Sequence, residues 1–304
     1  MRLQTTRALS STALILVLSV GGAAAQDVVS GTEQLEFNRP EAWAMKYFAT
    51  VGIMTGFGVP PEIESGAIDL GFEGGWIPSL SEDQRRVGFD GTKLEDLNRT
   101  SFFGRIRLTV GLPNQFSLGL GYVPPISVGG IKPNLFAVSI GRPFKLADQW
   151  RLGLRGYGQF GTIEGDITCD AETVAAGRDP ERNPFFCQEI SNDQHKQRMA
   201  GGEATLGWVS PNRRWTPYFG FAVNYMDLEF QVDAQYSGLI DQTLQLTDGA
   251  SYSVTSGVGY TLTPKLKLTG EVFYSWLDVV RPPATSTQND GLFNLRFLIS
   301  YQLR

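Results

Sequence analysis

Apolar residues recur at every second position in ten segments of this chain, and beyond the first 25 residues no run is long and apolar enough to cross a bilayer as a helix. The last segment is the clearest. Phe293, Leu295, Phe297, Ile299, Tyr301 and Leu303 are apolar, and Asn294, Arg296, Ser300, Gln302 and Arg304 between them are polar, with Leu298 the one exception. Side chains of an extended backbone point alternately to its two faces, so this pattern makes one apolar and one wet face. Upstream, Leu266, Leu268, Val272, Tyr274 and Trp276 oppose Lys267, Thr269, Glu271 and Ser275, while Tyr252, Val254, Val258, Tyr260 and Leu262 oppose Ser251, Ser253, Thr255 and Thr261. The segments around 215–223, 200–208, 150–160, 136–140, 116–122, 102–110 and 68–76 carry the same period.

A soluble β-sandwich alternates too, but three features favour a membrane. The apolar faces are continuous and aromatic. Trp76, Trp150, Trp208, Trp215 and Trp276 stand near segment ends, where interfacial girdles lie. Tight turns at 112–115, 145–149, 211–213 and 263–265 alternate with longer polar stretches near 78–99, 163–196, 232–249 and 281–290, the rhythm of short periplasmic turns and long external loops. The expected fold is all-β: a single antiparallel transmembrane β-barrel with an even number of strands. In this architecture the chain resembles the outer-membrane β-barrel proteins of Gram-negative bacteria. That resemblance implies an outer-membrane location, contact with lipid and lipopolysaccharide, and insertion by the barrel-assembly machinery. The class usually ends on an aromatic residue read by that machinery; here the end is Tyr301-Gln302-Leu303-Arg304, so the expected signal is displaced or weakened.

The N-terminus reads as a secretory signal over residues 1–25, followed by one barrel domain over 26–304. Arg2 and Arg7 supply the positive start, 13–20 the short apolar core, and Ala23 to Ala25 a small-residue cleavage site before Gln26. The stretch 40–57 supports two readings. As a helix it has Pro40 in the first turn, apolar residues at 43, 44, 47, 48, 51 and 54, and Gly56 as a stop; as a strand, Tyr47, Ala49, Val51 and Ile53 alternate with polar or small neighbours. The first gives ten strands plus an N-terminal helix; the second needs a twelfth strand, for which 28–37 is the candidate.

The net charge of −5 lacks the basic excess that a nucleic-acid partner requires. Cys169 and Cys187, in one polar loop of an exported chain, are expected to form a disulfide. Gly156 to Gly161 fits a nucleotide-loop pattern but lies inside a strand alternation and opens no helix, and no cofactor is indicated. Function is sought on the wet face. Glu73, Arg105, Arg155, Glu203, Glu271 and Arg296 fall at similar depth and are expected to pair across neighbouring strands as Glu73 with Arg105, Arg155 with Glu203 and Glu271 with Arg296. Such a belt is either a charged constriction selecting solutes or a salt-bridged plug. The leading expectation is a narrow pore or transporter for a small solute. The alternatives are a structural or interaction barrel with a closed lumen and, less favoured, a rim hydrolase using His195, the one histidine, with Ser191 and Asp193 nearby.

Overall fold

The structure, a computed structural model, describes residues 27–303. The signal-peptide reading of 1–25 lies outside the described residues. Ten strands make the wall: β1 (Ile68–Trp76), β2 (Phe102–Gly111), β3 (Ser117–Val123), β4 (Ile131–Lys145), β5 (Trp150–Gly165), β6 (Asp193–Trp208), β7 (Trp215–Gln231), β8 (Leu239–Thr263), β9 (Leu266–Trp276) and β10 (Leu292–Gln302). Each pairs antiparallel with the next, and β10 returns to β1 with Ile299 opposite Phe72. The barrel is closed, which removes the unpaired edges that hydrocarbon would not tolerate. It is an outer-membrane type of β-barrel.

The alternation has the expected consequence. Phe293, Leu295, Phe297, Ile299 and Tyr301 are exposed on the outside, and Asn294 and Arg296 are buried inside. Trp150 and Trp215 at the turn end, with Trp76 and Trp276 at the loop end, remain exposed where the two interfaces lie.

Three boundaries differ from the sequence reading. β5, β6 and β8 continue past the lipid-facing band, because their polar outer residues keep pairing in water, so the stretches 163–196 and 232–249 contract to connections at 166–192 and 232–238. A ninth connection, 124–130, joins β3 to β4 at the loop end and was not marked by polarity, since it holds Pro124, Pro125, Ile126 and Val128. The stretch 40–57 is helical only over α1 (Pro40–Val51), with Gly52 rather than Gly56 at its end.

No twelfth wall strand is needed. Asp27–Gln34 does form a strand, but it runs parallel to Leu239–Leu246 on the outer part of β8, beyond the wall. From Asp27 the chain therefore runs along the loop end, descends into the lumen as α1, and reaches β1 at the turn end. Nearly every residue of α1 is buried. Its Trp43 indole donates to the Asp290 carbonyl at 2.9 Å and its Lys46 ammonium to the Asp278 carbonyl at 2.6 Å, which fixes the helix to the β9–β10 connection.

Candidate functional site: a lumen held shut by its own N-terminal segment

A helix that ends inside a low-dielectric lumen leaves its last carbonyls without partners, at a cost of about 1–3 kcal/mol for each buried group. Four arginines on the barrel wall supply the missing donors. Arg296 donates to the carbonyl of Ile53 at 2.5 Å and to those of Thr50 and Val51 at 3.3 Å each. Arg105 donates to Gly52, Arg155 to Met54 at 2.6 Å and Arg107 to Thr55 at 2.6 Å. Every carbonyl from residue 50 to residue 55 thus faces a guanidinium, which also suits the negative end of the helix dipole.

Three glutamates complete the socket. Glu73 lies 3.3 Å from Arg105 and 3.4 Å from Arg107, and is fully buried. Glu203 receives Arg155 at 2.5 Å and the Gly56 amide at 3.2 Å. Glu271 accepts the Thr55 hydroxyl at 2.5 Å and the Tyr218 hydroxyl at 2.9 Å. Gly56 fits closely against this contact: a Cβ there would sit 2.6 Å from a Glu203 oxygen, so the carboxylate would have to shift. Below the belt the segment crosses the turn end, where Pro60 packs so closely on Gly153 that a Cβ would come within 2.3 Å of the proline ring.

The structure brings all six belt residues to one level around this segment. Glu73 meets Arg105 and Arg155 meets Glu203, as neighbouring residues in register. Glu271 and Arg296 are also in register, but no ion pair joins them: each turns to residues 50–55 instead. Arg107, two places from Arg105 on the same strand face, belongs to the belt and was missed.

Above the belt lies an apolar chamber of about 360 Å³. Tyr47, Phe48 and Val51 of α1 form its inner side, and Leu135, Ile131 and Ile163 of β4 and β5 its wall. Arg105 and Gly52 close the bottom. The chamber also touches Phe72, Phe102 and Ile106, whose side chains are exposed on the barrel exterior. A smaller cavity of about 90 Å³ lies nearer the external mouth and shares Phe48 and Leu97 with the chamber.

The serine–histidine–acid arrangement is not assembled. Asp193 accepts from Ser191 at 2.8 Å and from the backbone amides of Thr168 and Asp233. His195 shares no hydrogen bond with either; it faces the lumen, fully buried, with its ring 6.0 Å from that of Phe48. Alternation explains the burial, because a residue two places beyond Asp193 on β6 points the same way, inward. The two cysteines do meet: Cys169 and Cys187 form a disulfide in the β5–β6 connection, packed on Val232 and Ala234.

No family model and no curated protein matches the sequence. Solved structures with a similar course of chain include an outer-membrane channel from Pseudomonas putida F1, at 11% identity, covering 83% of this chain and 100% of that one, with a TM-score of 0.41. The translocator domain of the autotransporter NalP from Neisseria meningitidis aligns at 9% identity over 80% of this chain and 90% of its own, also at 0.41. The outer-membrane protease OmpT from Escherichia coli aligns at 13% identity over 78% of this chain and 94% of its own, at 0.34. These likenesses are of barrel to barrel and carry nothing finer.

Proposed function

We propose that this barrel is an outer-membrane transporter for a small apolar solute, which it takes into the chamber beside α1 rather than passing ions along its axis. The observation that carries this reading is the run of carbonyls from Thr50 to Thr55 held by Arg105, Arg107, Arg155 and Arg296, directly beneath a chamber whose walls are apolar. A hydrophilic solute would gain nothing from those walls, and an ion would have to displace the segment. An apolar cavity of ~150 Å³ takes up benzene, so the chamber has room for a molecule of about two fused rings. Lipid and lipopolysaccharide surround the wall in this reading, and the barrel-assembly machinery inserts it.

The test uses refolded protein and the fluorescent apolar probe N-phenylnaphthylamine. Saturable binding is expected, with no channel steps in a planar bilayer. Ile131→Trp, which fills the chamber near its outer end, should weaken binding by about tenfold, equivalent to ~1.4 kcal/mol. Absence of saturable binding in folded wild-type protein would refute the reading. It would favour a structural or interaction barrel, which the closed lumen and the strand Asp27–Gln34 beyond the wall also suit.

A further inference from the structure

We propose that the chamber exchanges its occupant sideways with the outer leaflet of the membrane, through a gap in the wall where β3 stops short of β2. This rests on the chamber being a binding site for an apolar solute, and adds the route and the phase from which that solute comes.

The gap follows from strand pairing. β2 pairs with β1 along its length from Phe102 onwards, but with β3 only from Ile106, which lies opposite Tyr122. Continuing that register would set Pro124 opposite Gly104 and Pro125 opposite Phe103. Neither proline has an N–H to donate, so the ladder ends at this point. On the far side, β3 pairs with β4 only up to Val123 opposite Leu135, and beyond that the single bridge is Val128 to Ile131 within the connection itself. Among the described residues, the edge of β2 from Phe102 to Arg105 therefore has no strand beside it on that side.

The chamber passes through this break. It touches Phe48 and Val51 inside the barrel and Phe102 and Ile106 outside it, so a single apolar space is lined by both lumen and lipid-facing residues. The connection over the gap exposes Ile126 at 63% and Val128 at 51%, apolar side chains on a loop next to the lipid band. In hydrocarbon an open sheet edge is costly, and this one lies beside the chamber. The occupant that fits is a small apolar molecule dissolved in the bilayer. It meets apolar side chains from lipid to chamber, whereas the downward route ends at the arginine belt.

The experiment compares binding and transfer. The double variant Pro124→Val, Pro125→Thr restores two backbone donors and allows β3 to zip onto β2. Gly104→Trp narrows the gap from the β2 side and serves where the double variant fails to fold. Affinity for N-phenylnaphthylamine is measured in detergent, and the rate of its transfer into the chamber is measured from phosphatidylcholine vesicles preloaded with probe. The expected result is transfer slowed by roughly tenfold or more, and by a clearly larger factor than the fall in affinity, since Pro124 and Gly104 also line the outer end of the chamber. Undiminished transfer in a folded variant overturns the sideways route and leaves the chamber intact. If wild-type protein binds no probe in detergent, the chamber reading fails first and the route with it.

Discussion

The guanidinium of Arg296 on the last strand lies 2.5 Å from the carbonyl oxygen of Ile53, which precedes it by 243 positions. The same side chain also reaches Thr50 and Val51, stacks over the Phe273 ring at 4.1 Å and is oriented by Asn294 at 2.9 Å. One residue of the wall thus joins the end of α1 to the strand that closes the barrel. Replacing it with methionine keeps the apolar stem but strands the carbonyls of Val51 and Ile53 and removes a cation close to buried carboxylates. Arg296→Met should lower stability by about 3–5 kcal/mol, the range for breaking a buried charge network from one side. Urea unfolding in lipid vesicles measures this. A change below 1 kcal/mol would mean that the N-terminal segment is not held in the lumen by this contact.

The outer face tests the wall itself. Phe297 is exposed, with its ring 5.9 Å from Phe102 and 6.5 Å from Phe72 on the neighbouring lipid-facing surface. Phe297→Arg should cost about 2–4 kcal/mol at mid-membrane, falling towards zero for positions near an interface. Folding yields in bilayers report the cost, and an unaffected yield would place that face away from lipid.

The disulfide makes a separate expectation, because Cys169 and Cys187 pack on Val232 and Ala234 outside the barrel wall. Closing a ring of this size is worth about 3 kcal/mol in the chain-entropy account, felt by the loop. Changing both cysteines to serine should make the 166–192 connection sensitive to protease while leaving the barrel's heat-resistant mobility on a gel unchanged. Equal protease resistance with and without the bond would show that the loop is held by other contacts.

The strands were legible because burial on a barrel wall has a period of two; α1 was legible only as one of two readings, because its apolar residues return every three or four places while 47–53 also alternates as a strand would. The expected disulfide needed only two cysteines in one external loop. What the pattern could not show is the partner of the belt. Arg296 and Glu271 stand directly opposite each other in register, yet each bonds to residues 50–55 rather than to the other, and backbone carbonyls leave no mark in side-chain composition. Arg107 did carry a signal, standing two places from Arg105 and so on the same face. Pro124-Pro125 carried another, since paired prolines end a ladder, but the connection that they open, with Ile126 and Val128, lacks the polarity that marks the other loops.

The cap over the lumen should respond to pH through Glu95. It sits in the β1–β2 connection, buried beside the external cavity, with Lys93 at 2.6 Å and Lys93 in turn on the Thr168 carbonyl. Burial pushes the Glu95 carboxyl up to about 7, against the attraction of Lys93 and with some help from Asp193 and Asp170. The folded value is therefore above the unfolded one of 4.5. Below the unfolded value both states hold the proton and Glu95 contributes nothing to pH dependence. Between 4.5 and about 7 the folded state binds more protons than the unfolded state, so stability falls as pH rises, and above 7 the loss is complete. The loop cap should be tightest in mild acid and should open more readily as the carboxyl ionises near neutrality. Hydrogen exchange of the 77–101 connection, measured from pH 5 to pH 8 and corrected for intrinsic rates, should show protection declining across that window. Glu95→Gln, neutral throughout, should flatten the decline while leaving exchange in the barrel strands as it was. A decline of the same size in the glutamine variant would assign the pH response to another group.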